Sequence, residues 1–184
     1  MKKALVIYAN GSEDLEVTAI ADVLARGQVE VTKAALTASG VEVKLSHGTT
    51  VLCDKNLHDC KDCYDVIAIP GGLPGATNCR DSEKLIAMLT EQKAHKRLIA
   101  AICAAPGFVL AHHGLISTER ATGYPGCDSA IQNCTHKGVE VSEDGLIITG
   151  KGPAYAVRFA LEILKALQGE ECMRQVASGM LVEL

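Results

Sequence analysis

Short apolar runs closed by turn residues alternate along the chain with segments of helical period. Ala4-Leu5-Val6-Ile7-Tyr8-Ala9 reads as a buried strand ended by Asn10-Gly11. Ser12 is placed to cap a helix that runs to about Arg26-Gly27, with Glu13 and Asp14 as solvated partners of its positive end. Residues 29–35 form a second strand, and residues 41–45 and 50–53 flank His47-Gly48 as a hairpin. Val66-Ile67-Ala68-Ile69 is another buried strand, closed by Pro70-Gly71-Gly72. Asp81-Ser82-Glu83 opens a helix carrying Leu85, Ile86 and Leu89 on one face. A strand follows over residues 97–102, then a helix ending at His112 and His113, then a late strand over 146–149. Gly152-Pro153 starts a helix stopped by Gly169, and a last helix covers about 171–180.

Such alternation predicts a mainly parallel sheet with helices on both faces. No repeat, low-complexity tract or linker interrupts it, so residues 1–184 are expected to form one domain. In open sheets of this kind, sites form beyond the carboxyl ends of the strands. Here those segments are residues 10–16, 70–78, 103–107 and 150–154.

Composition narrows the function classes. Lys and Arg number 18 against 22 acidic residues, which leaves no basic footprint for nucleic acid. Four Tyr, two Phe and no Trp argue against base-stacking platforms and a membrane aromatic belt. The apolar stretch after Met1-Lys2-Lys3 is too short for a signal peptide, and the run over 98–111 is broken by Pro106. A cytoplasmic protein with no membrane contact is expected. Eight cysteines in such a setting read as thiols rather than a disulfide framework. Cys60-Lys61-Asp62-Cys63 lacks the second ligand pair of a zinc site, so it reads as a surface loop with two incidental thiols and no metal.

The chemistry concentrates in the strand-end segments. Arg97-Leu98-Ile99-Ala100-Ala101-Ile102 runs directly into Cys103, and Pro106 suits the first turn of the following helix. A thiol at that junction faces unpaired helix N–H groups, which favour the thiolate and predict a lowered pKa. The layout is that of a nucleophile elbow with Cys in place of Ser, although a buried packing thiol fits the position equally well. Glu16 shares a stripe with Ile20 and Val23, so its carboxyl is either desolvated and partly protonated near neutrality or turned outward at the helix end. A protonated carboxyl could donate to a Cys103 thiolate and shuttle protons. Pro70-Gly71-Gly72 is either a plain turn or, with the Gly72 and Ala104 N–H groups, an oxyanion pocket. None of the six histidines adjoins Cys103: His112 and His113 close a helix, and His47, His58, His95 and His136 fall in turns or on polar faces. That absence points away from a Cys-His amidase toward chemistry carried by thiol and carboxyl.

Taken together, Gly11-Ser12-Glu13-Asp14-Leu15-Glu16, Pro70-Gly71-Gly72, Ala100-Ala101-Ile102-Cys103-Ala104-Ala105-Pro106 and Gly152-Pro153 resemble the ThiJ/PfpI superfamily. Within it the chain is most similar to the branch of the Parkinson-disease protein deglycase and its bacterial YajL-type relatives. The resemblance implies a flavodoxin-like, class I glutamine-amidotransferase-like three-layer sandwich and a homodimer. It also implies an oxidation-prone Cys103 nucleophile paired with a protonated Glu16. The implied activities need no cofactor or metal: glyoxalase III conversion of 2-oxoaldehydes, deglycation of protein adducts, or redox-sensing stress chaperoning without turnover. Tyr124 stands where some members carry an active-site histidine, and His47 where an arginine is common. Ala104 departs from the protease and amidase branches, which place His directly after the Cys.

Overall fold

The computed structural model describes residues 1–61 and 63–184. Among these, seven strands form one sheet in the order β5-β2-β1-β6-β7-β9-β8, where β1 is Lys3–Ala9, β2 Glu30–Leu36, β5 Lys55–Asn56, β6 Val66–Ile69, β7 Leu98–Ile102, β8 Val139–Val141 and β9 Ile147–Gly150. All neighbours are parallel except the β8–β9 edge pair. A separate antiparallel hairpin joins β3 (Glu42–Lys44) to β4 (Thr50–Leu52), as the residues flanking His47-Gly48 predict.

Alternation along the strands sorts the core into two layers. Ala4, Val6 and Tyr8 of β1, and Leu98, Ala100 and Ile102 of β7, point to one face. There they meet Val17, Ile20 and Leu24 of helix α1 (Asp14–Arg26) and Phe159, Ile163 and Leu164 of helix α4 (Ala156–Gln168). Leu5, Ile7, Ile99 and Ala101 point to the other face, against Leu85 and Leu89 of helix α3 (Glu83–Ala94) and Val109 and Leu110. A one-residue slip in any central strand would exchange the two sets. Burying an aliphatic side chain is worth about 1.5–3 kcal/mol, so both layers together pin the register. The result is the flavodoxin-like three-layer α/β sandwich expected from the sequence.

Several local readings change. Ser12 does not cap α1: its buried Oγ accepts from the Ala9 N–H at 3.1 Å. The cap is Glu13, whose Oε2 accepts from the Glu16 N–H at 2.8 Å, and Glu13 is buried rather than solvated. Asp14 also has a specific task. It accepts from the His47 N–H at 2.8 Å and the Thr49 N–H at 3.3 Å, tying the hairpin turn to α1. Part of the Pro70–Asn78 segment winds into helix α2 (Gly75–Arg80). After Cys103 the chain forms a π-helical turn over Pro106–Ala111, with the His112 N–H reaching the Gly107 carbonyl. Cys60 faces the core while Cys63 is exposed, so that loop is not two surface thiols; Asp62 between them lies outside the described residues. The last helix, α5, spans Glu170–Gly179. No helix among the described residues is long and apolar enough to cross a membrane.

Candidate active site

Strand order reverses at β1, which pairs with β2 on one side and β6 on the other. The loops leaving β1, β6 and β7 therefore converge at the sheet's carboxyl edge. Backbone contacts lock the first two together: the Glu13 N–H bonds the Gly71 carbonyl at 3.1 Å. Gly72 adopts φ +83°, and a Cβ there would lie 2.5 Å from the Gly11 carbonyl oxygen and 2.6 Å from the Glu13 nitrogen. Only glycine fits such a crossing of two main chains.

Cys103 follows β7 directly and has φ +65°, a left-handed conformation that costs a non-glycine residue about 1–3 kcal/mol. Its own N–H bonds the Gly150 carbonyl at 2.8 Å, and its carbonyl accepts from the Tyr124 N–H at 2.7 Å. These contacts hold the strained residue from two sides. Gly71 packs against it so closely that an added Cβ would lie 2.5 Å from Cys103 Cβ and 2.9 Å from Sγ. The thiol is almost buried, at 8% exposure. The Gly72 and Ala104 N–H groups both donate toward it. These two donors, expected from the sequence to line an oxyanion pocket, aim here at the sulfur itself.

Glu16 lies on the buried face of α1, at 0% exposure. One carboxyl oxygen, Oε2, accepts from the Gly71 N–H at 2.7 Å, and the carboxyl also meets the Cys103 thiol. Burial pushes its pKa from 4.5 up to about 7; the Gly71 N–H opposes this, and the neighbouring Glu13 charge adds to it. Cys103 departs from expectation. Burial, followed by the Glu16 charge, pushes the thiol up to about 12, against the pull of the Gly72 and Ala104 N–H groups. The dry surroundings and the Glu16 charge outweigh the N–H dipoles at the helix end. The pair is best described as one unit. Its first ionisation, at about 7, leaves one negative charge and one proton between carboxyl and thiol. The second is held off to about 12. In the singly charged unit the charge rests mainly on the Glu16 carboxylate and the proton on sulfur, while the two N–H donors support the form in which sulfur carries the charge and Glu16 the proton.

The raised Glu16 pKa has a stability consequence. A folded-state pKa above the unfolded value means stability is fully present below pH 4.5 and lost as pH rises through about 7. Glu16→Gln keeps an acceptor for the Gly71 N–H and removes the titration. The variant is therefore expected to melt increasingly above the wild type as pH rises from 5 to 8, by an energy on the order of 3 kcal/mol at the upper end. A difference in melting temperature that stays constant across this range would contradict the assignment.

Tyr124, half exposed, and Tyr155 stand beside Gly152 and Pro153 around an apolar hollow of about 180 Å³ near the Cys103 carbonyl. Gly71 was missed by the sequence reading, although the Pro70-Gly71-Gly72 turn marked its neighbourhood. It seats the thiol and holds Glu16.

Residues 2–166 match the model of the DJ-1/PfpI family. The chain belongs to the DJ-1/PfpI family. Protein dj-1beta of Drosophila melanogaster is 41% identical over 185 residues, covering 98% of this chain and 97% of that protein. The glutathione-independent glyoxalase DJR-1.2 of Caenorhabditis elegans is 35% identical, covering 92% and 91% of the two chains. The chain spans 41% of the length of Protein DJ-1 homolog B of Arabidopsis thaliana, at 38% identity. Among solved structures, oxidized Toxoplasma gondii DJ-1 superposes with a TM-score of 0.96 at 39% identity, over all of both chains. Family membership places the chain in the DJ-1 branch named by its sequence motifs.

Proposed function

We propose that this DJ-1/PfpI protein is a cofactor-free glyoxalase III or deglycase, in which Cys103 and Glu16 act together on 2-oxoaldehydes or their adducts. The observation that carries the reading is a buried carboxyl sharing a proton with a thiol that two backbone N–H groups face. The thiolate form of the pair adds to the aldehyde carbon of methylglyoxal, and Glu16 protonates the new oxygen, giving a hemithioacetal. The Glu16 carboxylate then takes the proton from that carbon and passes it to the ketone oxygen, giving an enediol. Protonation of the adjacent carbon, with loss of the hydroxyl proton beside sulfur, leaves a lactoyl thioester on Cys103. Water hydrolyses it to lactate and restores the thiol, so the sum is one methylglyoxal plus one water. The Gly72 and Ala104 N–H groups support the negative charge on sulfur and on the substrate oxygen. The similarity to a glutathione-independent glyoxalase supports this choice of substrate.

Acid-quenched reaction mixtures are expected to show a single lactoyl group, mapped by peptide mass spectrometry to the Cys103 peptide. Label on another cysteine, or none at all, would reject the covalent route.

A second reading rests on the same groups. A sulfinate on Cys103 would find the two N–H donors and the Glu16 proton already in place, which suits an oxidation sensor or stress chaperone. Similarity to a DJ-1 structure described as oxidized favours keeping it. Both readings describe one cytoplasmic domain working as a homodimer. Leu15 at the start of α1 and Leu52 on the hairpin are 63% and 67% exposed, and Asp14 ties these two elements together. Sedimentation at micromolar concentration is expected to report a dimer; a clean monomer would overturn the assembly.

A further inference from the structure

We propose that Asp128, Cys134 and His136 form a zinc site with one open position, in the loop behind Tyr124. Cys134 Sγ lies 3.4 Å from His136 Nδ1 and 3.7 Å from Asp128 Oδ2, and those two atoms are 3.5 Å apart. Each residue thus offers one atom, and the three atoms form a nearly equilateral triangle. Tetrahedral zinc with its usual bonds to sulfur, nitrogen and oxygen spaces such ligands about 3.3–3.7 Å apart. The triangle is therefore one face of a zinc tetrahedron, already assembled. Among the described residues this is the one group of three His, Cys, Asp or Glu donors close enough to share an ion.

The donor set also selects the ion. A thiolate and an imidazole favour zinc over calcium or magnesium, which take all-oxygen shells. His136 is largely exposed, so the fourth position faces solvent and would take water. The supporting backbone is fixed on each side. At the bridge between Ala121 and Cys134, the Thr135 N–H donates to the Ala121 carbonyl and the Ala121 N–H to the Asn133 carbonyl. Thr122 Oγ1 donates to the Lys137 carbonyl at 2.7 Å, and Lys151 Nζ to the His136 carbonyl at 3.2 Å. Asp128 is oriented by the Gly126 N–H, which donates to its Oδ1 at 3.2 Å. Binding would displace the Cys134 thiol proton to solvent. The site is distinct from the Cys103–Glu16 pair yet close to it. A Cβ added at Gly123 would lie 3.4 Å from both Asp128 Cβ and the Cys103 carbonyl oxygen. An ion there would stiffen the loop whose Tyr124 N–H supports Cys103.

Reduced, chelator-treated protein titrated with Co²⁺ alone is expected to bind one equivalent at this site, with a sulfur-to-cobalt charge-transfer band that Zn²⁺ abolishes. Cys134→Ser should lose the band, whereas Cys103→Ser and Cys60→Ser should keep it. His136→Ala, a change at an exposed side chain, should weaken binding at least tenfold and remove the rise in melting temperature that Zn²⁺ gives the wild type. Absence of the band in the wild type, its survival in Cys134→Ser, or its loss in Cys103→Ser would each overturn the site. Should Cys134→Ser fail to fold, unchanged binding in His136→Ala would do the same.

Discussion

Replacing Glu16 by Leu is expected to lower methylglyoxal turnover by about 10²–10³-fold, within the range that a positioned acid–base group contributes. Leu fills the buried position but cannot hold a proton, so the thiolate loses both its donor and its proton-sharing partner. Alkylation of Cys103 reports the same pair without turnover. In the wild type the carboxylate takes the charge at the first ionisation, at about 7, so the rate should climb fully only as the thiol itself ionises, toward about pH 12. In Glu16→Leu the carboxylate that helps push the thiol up is gone, and the midpoint should move downward. Leu also leaves the Gly71 N–H without its acceptor, a loss of about 1–3 kcal/mol. Glu16→Gln separates the two effects, since an amide oxygen still accepts from Gly71 but supplies no titratable proton. Turnover retained by Glu16→Gln, or an unmoved alkylation midpoint in Glu16→Leu, would remove Glu16 from the chemistry.

Gly72→Ala is expected to destabilise the protein by several kcal/mol and to abolish turnover. Two costs combine: a left-handed φ with a side chain, about 1–2 kcal/mol, and a Cβ forced into the main chain at Gly11 and Glu13. Neither neighbour is a flexible side-chain end, so the backbone itself must move. The crossing it would spread joins the β1 and β6 loops, which carry Glu16 and the N–H facing Cys103. Gly48→Ala makes a useful contrast. Gly48 also has positive φ, but an added Cβ there meets nothing within 4 Å, so only the backbone cost applies. Chemical denaturation of the two variants measures the difference. Equal losses would mean the loops tolerate separation.

Much of this arrangement was legible in the sequence because it rests on local patterns. Continuous apolar runs mark strands buried on both faces, and the run ending at Cys103 places that thiol at the sheet's carboxyl edge. The Glu16-Ile20-Val23 stripe carries its own burial signal, and all three are buried. What was missed depends on contacts between distant segments. Asp14 resembles any first-turn acid until the hairpin turn at residues 46–49 comes to rest on it. Glu13 displaces Ser12 as the cap because Ser12 turns back to the end of β1. The Cys103 thiol was expected to be lowered because the helix end was visible, while the desolvation that opposes it comes from tertiary packing. His136 reads as one more polar-loop histidine until the backbone pairing around Ala121 sets it beside Cys134 and Asp128.

The most direct test of the Cys103–Glu16 account is steady-state lactate formation from methylglyoxal by chelator-treated protein in glutathione-free buffer, followed by proton NMR. The account predicts catalytic, multiple-turnover lactate from the wild type. It predicts a rate at least about 10³-fold lower for Cys103→Ser, whose hydroxyl is a far weaker nucleophile in this setting. Lactate formed equally well by Cys103→Ser, or none formed by the wild type, would contradict it.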